Sequence, residues 1–456
     1  MSRTTKPRQF PTHGPELKAL LAACHRNPDD DTPRLVLADW LQEHDDPRGE
    51  LMRLQCRLAA MPAGDPEYDT LFELHQQWWK KYGKLWEKEV GSYLWNVGPH
   101  DRGLPTLGNS DSTAHEHWLS TGDLEDPAKY PKDLLSVAVA NGWPGMTWVF
   151  VEDPLDYGDE EDSDDYALDP EVIEAIAFDR FDQPPWADSP TPIGVCVSDD
   201  LLVTPEIIDR AAKIPNLRGL AFVDITPTPD LLPRIAAIKT LEHLDLSDMR
   251  LTDDDLRKLT PLKQLRTLNA IGGAITDAGV KTLAEFPELR ELRLGTHRFT
   301  AKGYQSLAGL AKLEVLQLGI ANDSAVQHLS GLTRLRFLEL RGTKVTGHGV
   351  ENFPLLTHLI LDGAPVDDEG LAGVAALPRL RYLGLHETRI TGAALKHLSS
   401  LRWLEELHAS ETAIRDRDLV HLEPLKQLRL IDFNSTLVTK KGSAALQAKL
   451  KNAMIW

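Results

Sequence analysis

Leucines recur through the second half of the chain at a nearly fixed interval. Leu241, Leu244 and Leu246 open a unit that returns as Leu265, Leu268 and Ala270, then as Leu289, Leu292 and Leu294. It returns from Leu313, Leu335, Leu356, Leu380 and Leu404, and a last time as Leu428, Ile431 and Phe433. The starts are 24, 24, 24, 22, 21, 24, 24 and 24 residues apart. The last two apolar positions of each unit lie two residues apart, so both point to one face of a short strand, and the residues between them point to the other. Five residues further on comes another apolar residue: Leu251, Ile275, Phe299, Val345, Val366, Ile390, Ile414 or Val438. In several units threonine follows it, as Thr252, Thr276, Thr300, Thr346, Thr391 and Thr439. Threonine is a good helix N-cap. Apolar residues then recur every three, as in Val280, Leu283 and Phe286, which is the stripe of a helix facing the same core. Each unit therefore predicts a strand followed by a helix. One such unit cannot bury its apolar face alone, and stacking neighbours makes the core continuous.

L-x-x-L-x-L at this period is the signature of the leucine-rich repeat, and the chain resembles that family over about half its length. The resemblance implies an α/β fold: a right-handed solenoid with a parallel concave sheet and helices on its convex side. It implies little about function. Two earlier units, at Val195, Val197 and Leu202 and at Leu217, Leu220 and Phe222, extend the regular array to eleven repeats beginning near residue 192. A degenerate strand precedes them at Met146, Val149 and Val151. The fourth unit of the leucine series, Leu313–Arg334, is two residues short before its helix. The fifth, Leu335–Leu355, loses one apolar triplet and ends Val350-Glu-Asn-Phe353-Pro. The first predicts a shorter loop ahead of the helix, the second a shorter convex element, and together they predict a local change of curvature.

The segment ahead of the repeats reads differently. Residues 1–15 are polar, with no apolar core behind Arg3, Lys6 and Arg8, so they form a flexible start rather than a signal peptide. Leu17, Leu20 and Leu21 begin a helical module over residues 16–96. Thr32-Pro33 resembles an N-cap followed by a first-turn proline, with Leu35, Val36, Ala38, Trp40 and Leu41 filling the next helix. Leu51, Leu54 and Leu58 fill a third. The run NPDDDTPRLVLADWLQEHDDPRGELMRLQ resembles a bacterial repeat-companion domain found ahead of repeats in planctomycete-type proteins. That resemblance implies architecture and a bacterial source, and no activity. Leu71, Leu74, Trp78, Tyr82 and Leu85 predict a longer helix, widened by Trp79 and Trp86 and carrying Lys80, Lys81, Lys84 and Lys88. Such a wide stripe is expected of a helix packed on both sides, here against the open end of the solenoid. The alternative is a contact for nucleic acid or an anionic surface.

Charge is unevenly distributed. The chain has a net charge of −19, and residues 101–200 hold 24 Asp and Glu against 4 Lys and Arg. The acidity argues against nucleic acid as the general partner. Residues 97–191 read as a linker, the degenerate repeat and an acidic insertion over Asp153–Asp169. Asp159–Asp165 lacks the glycine and the final Glu of a calcium loop, His115 and His117 lack a further ligand pair, and Asp29–Asp31 with Asp39 match no ligand pattern. No metal or cofactor is therefore expected. Cys24, Cys56 and Cys196 are far apart and suit reduced, buried thiols in a cytoplasmic chain, and no apolar run approaches membrane-spanning length.

No phosphate-binding loop, nucleophile elbow or zinc-protease motif is present, so the expected function is a non-enzymatic protein-binding scaffold or adaptor. A cryptic enzyme with residues drawn from distant repeats stands as a third reading. The outward strand positions supply the candidate site. They are Phe337, Glu339 and Arg341; His358, Ile360 and Asp362; Tyr382, Gly384 and His386; and Glu406, His408 and Ser410. Phe337, His358 and Tyr382 fall on neighbouring strands and form one row, with Arg341 beside Asp362 in another. Aromatic residues with arginine are the residues of interface hot spots.

Overall fold

The computed structural model describes residues 31–44 and 46–61, parts of 16–23 and 65–81, the strands Thr147–Val151 and Ile193–Ser198, and most of 205–223 and 230–456. The chain divides into two compact units, Met1–Trp148 with Asp182–Ile193 and Val149–Phe181 with Gly194–Trp456. The acidic insertion, His115 and His117, and the helix resumed at Glu171–Phe181 lie outside the described residues.

In the first unit, helices Asp31–Glu43 and Arg48–Ala60 pack around Leu37, Ala38, Leu41, Met52 and Cys56. Leu51, Leu54 and Leu58 are buried as expected. Two expectations fail in the first helix. It begins at Asp31, so Thr32 does not cap it and Pro33 falls in the first turn, where a missing N–H costs nothing. Leu35 and Val36 are 40% and 48% exposed, while Arg34 is buried. The reason is rotation: residues 34, 37, 38 and 41 share one helical stripe, and 35 and 36 lie opposite. Asp39 sits on the helix surface and pairs with Arg53. The backbone is again helical at 68–75, where Phe72 rather than Leu74 is buried. Gln55 and His75 are 2.9 Å apart, and Arg57 reaches Glu67 at 2.6 Å, so this helix crosses the one before it. Of the four lysines predicted on the long helix, Lys81 lies within the described residues, 5.9 Å from the Trp78 ring centre.

The second unit is a leucine-rich-repeat solenoid. Among the described residues, thirteen strands lie side by side in chain order, and Ile275–Thr276 with His297–Arg298 form a small sheet apart from them. From Leu217–Val223 onward the pairings are parallel and register the leucines on one another: Leu338 on Leu359, Leu383, Leu407 and Ile431 in turn. Those five side chains are fully buried. Helices Asp253–Leu259, Asp277–Leu283, Ala301–Leu307 and Asp323–His328 return the chain to the next strand, each burying its apolar stripe. The two irregular repeats differ in how they shorten. The fourth has a six-residue helix capped by Asn322, and the fifth has only the 3-10 turn Val350–Asn352.

Thr252, Thr276, Thr300, Thr391 and Thr439 accept a hydrogen bond from the first turn that follows, as caps should. Thr346 does not. Gly347 and Gly349 follow it with positive φ, and the helical turn starts only at Val350. Thr346 instead shares a second role with its counterparts. Its N–H and hydroxyl donate to the two oxygens of Asp323, in the preceding repeat, at 2.7 and 2.6 Å. Thr391 binds Asp368 at 2.7 and 2.6 Å, and Thr439 binds Asp416 at 2.7 Å through both groups. Thr276 binds Asp253 in the same way. Each carboxylate thus ties its helix start to the next repeat. In three repeats it also dictates a glycine: a Cβ at Gly279, Gly303 or Gly442, three residues after the threonine, would run into Asp253, Asp277 or Asp416, whereas Ala394 stands at that place after Thr391.

Candidate functional site

The predicted row exists as a stack of rings. Parallel register sets Phe337, His358 and Tyr382 directly beside one another on the open face of the sheet. Ring centres are 6.0 Å apart from Phe337 to His358 and 5.8 Å from His358 to Tyr382, with interplanar angles of 27° and 21°. A fourth ring joins by a different route. His408 is in register with Gly384, not with Tyr382. Because Gly384 carries no side chain, His408 leans across and stacks on Tyr382 at 4.9 Å. Gly384 is also needed from below, since a Cβ there would lie 2.7 Å from the Asp362 carboxylate.

The stack is locked from one side. Thr357 donates its hydroxyl proton to the Arg336 carbonyl at 3.0 Å. Its oxygen, 2.9 Å from Nδ1 of His358, must therefore accept from that nitrogen. The neutral ring then carries its lone pair on Nε2. Burial lowers the His358 pKa to about 4, helped by Arg381 and opposed by Glu406. At neutral pH the central ring of the stack is uncharged. Its neighbour Thr357 was not among the predicted site residues, because its role depends on a bond across strands.

The other predicted residues are placed less simply. Arg341 is exposed and bridges Glu339 at 3.4 Å and Asp362 at 3.6 Å. Glu339 and Asp362 were expected to project into solvent, but they are 8% and 7% exposed, and Ile360, Gly384 and Ser410 are buried as well. Strand alternation sets the direction of a side chain and not its exposure. At a strand spacing of ~4.8 Å, outward side chains crowd against one another. Glu339 accepts from Gln317 at 3.3 Å, and Gln317 accepts from Arg293 at 3.3 Å, so a polar row runs beside the rings. Asp362 accepts from the backbone N–H of His386 at 2.9 Å. Its pKa is raised by burial, against the pull of that N–H and of Arg341. His386 lies 2.8 Å from the Ser410 hydroxyl. His408 comes within 3.6 Å of Glu406.

On the strand-start side runs a row of shared ion pairs. Glu242 lies between Arg218 at 3.5 Å and Arg266 at 3.0 Å. Glu314 contacts Arg290 at 2.7 Å and Arg336 at 3.8 Å, and Glu405 contacts Arg381 at 3.3 Å and Arg429 at 3.5 Å. Among the described residues no group of three His, Cys, Asp or Glu could hold a metal ion, and no helix is long and apolar enough to cross a membrane.

No protein-family model matches the chain, and no curated protein matches it. Its solved structural neighbours are leucine-rich-repeat proteins. An internalin (inlF) from Listeria monocytogenes is 19% identical, with a TM-score of 0.43, covering 59% of this chain and 75% of its own. The mouse RP105/MD-1 complex aligns at 17% identity and a TM-score of 0.41, over 65% of this chain and 58% of that one. The plant peptide hormone receptor RGFR1, in complex with RGF2, aligns at 16% identity and 0.37, over 58% and 46%.

Proposed function

We propose that the chain is a non-enzymatic protein-binding scaffold whose docking surface is the ring stack Phe337–His358–Tyr382–His408, with Arg341, Asp362 and His386 beside it. One observation carries the reading. Four half-buried rings stand in contact on the open face of a sheet whose core is already complete in leucine beneath them. The fold does not require aromatic residues there: the same position holds Thr267, Glu291 and Val315 in earlier repeats. Apolar area held rigid and half in solvent is what a partner can desolvate at little entropic cost.

The test pairs folding with capture. Phe337→Ala, Tyr382→Ala and Arg341→Ala are each expected to keep the melting temperature within a few degrees of wild type. Each aromatic truncation is expected to cost at least ~2 kcal/mol in affinity for a partner retained by the wild type. Capture that survives all three substitutions would move the search to the helix carrying Lys81. Loss of folding would show that the stack is structural.

A further inference from the structure

We infer that the ring stack receives an extended peptide whose side chains alternate between acidic and basic. This rests on the protein-binding reading above and names the chemistry of the partner. The stack is a seam between two oppositely charged margins. Consider the five strands entered at Phe337, His358, Tyr382, Glu406 and Leu430. Of the residues one and three places before those positions, Arg334, Arg336, Arg381 and Arg429 reach the surface and Arg379 is buried, against Glu405 alone. The residues two, four and five places after them include Glu339, Asp362, Glu387, Glu411 and Asp432, against Arg341 alone. Each exposed arginine of the first margin contacts Glu314 or Glu405, so two carboxylates stand against four arginines, and Arg341 meets Glu339 and Asp362 on the other margin. Each margin keeps an excess of its own sign.

The rings define what lies between. Rings stacked on one another along the row turn their edges outward, and the edge of an aromatic ring is the positive end of its quadrupole. Such edges suit carbonyl oxygens, so a peptide backbone fits along the seam better than a flat ligand laid over a ring face. Three strand steps of ~4.8 Å make the seam ~14 Å long, which about four extended residues at ~3.4 Å each would span. An extended chain lying along it sends successive side chains to opposite margins. Acidic side chains would then meet the arginine margin and basic ones the carboxylate margin.

Fluorescence anisotropy at low salt tests this with the full chain and labelled octapeptides, which are too short to be stable helices. One probe alternates glutamate and lysine along its whole length. Its block isomer, equal in composition and charge, places all its glutamates before all its lysines. An all-glutamate and an all-lysine octapeptide stand beside them. The alternating peptide is expected to bind at least about fivefold more tightly than the block isomer. That preference should vanish in Tyr382→Ala, and affinity should fall at least threefold in Arg336→Glu and in Glu411→Lys, with melting temperatures monitored for each. Equal or tighter binding of the block or single-charge probes, still lost in Tyr382→Ala, would overturn the alternation and leave the docking surface standing. Binding unaffected by Tyr382→Ala, or no binding of any probe, would overturn the inference. The docking surface itself would then be judged by the capture of the retained partner by Phe337→Ala and Tyr382→Ala.

Discussion

The repeat is joined residue by residue through one device, the aspartate that accepts twice from the threonine of the following unit. Asp253 receives the N–H of Thr276 at 2.8 Å and also its hydroxyl. Removing it in Asp253→Ala strands both donors, and a loss of about 1–3 kcal/mol is expected in thermal or urea unfolding. Gly279→Ala should cost a comparable amount, although alanine is ordinarily the better helix residue. The added Cβ would collide with the Asp253 carboxylate. The two substitutions should not add. In the Asp253→Ala background the collision with the carboxylate is gone and only that with Ile275 Cγ2, 2.7 Å away, remains, so Gly279→Ala should cost less there than in the wild type. A fully additive double mutant would refute the account. Hydrogen bonds from Thr300 hold the pKa of Asp277 low, and those from Thr439 do the same for Asp416. A depressed carboxylate stabilises the fold above its unfolded pKa and loses that contribution as pH falls through the folded one. These bridges should therefore weaken only in acid below the ordinary carboxylate range.

At the scale of the element, the strand is the constant part and the helix the variable one. Strands of three residues suffice because each lays its central leucine on the leucines of both neighbours, as at Leu338, Leu359 and Leu383. The returning segment tolerates change, from the seven residues of Asp277–Leu283 to the three of Val350–Asn352. What the short version keeps is the apolar plug at its end: Phe353 is fully buried. Phe353→Ala is expected to cost about 3–5 kcal/mol, as a core phenylalanine truncation does. The lost stability should appear first as faster amide exchange in the fourth to sixth repeats, since repeats couple to their neighbours. Uniform loss of protection along the whole array would count against nearest-neighbour coupling.

Across the solenoid as a whole, burial of histidine makes stability depend on pH. His243 and His358 both have pKa values lowered to about 4, chiefly by burial. For such groups the unfolded chain takes up the proton first, near 6.5, and the folded chain only near 4. Stability is then full above about pH 6.5, declines as pH falls toward 4 and levels off below it. Each site is expected to contribute on the order of 1–3 kcal/mol over that window. Urea unfolding at pH 7 and pH 5 checks this: His358→Gln should reduce the loss between the two, and an unchanged loss would show that the ring is not desolvated.

The sequence by itself determined the period, the strand–helix unit, the leucine core and the neighbours in the Phe337–His358–Tyr382 row. Each of these follows from short-range alternation repeated at a constant interval, so parallel register carries one unit onto the next. The shortened fifth repeat was equally legible, because a missing apolar triplet removes the face a helix would bury. Tertiary structure decided what depends on contacts between strands 21 to 24 residues apart. It buried Glu339 and Asp362 although both point outward, and brought His408 over Gly384 onto Tyr382. It turned Thr346 from a cap into a bridge to Asp323. In the first unit it buried Arg34 and left Leu35 and Val36 exposed. The physical reason is common to all four. Backbone periodicity fixes the direction of a side chain, but its burial and partners depend on the sizes and charges of the side chains that the fold sets beside it.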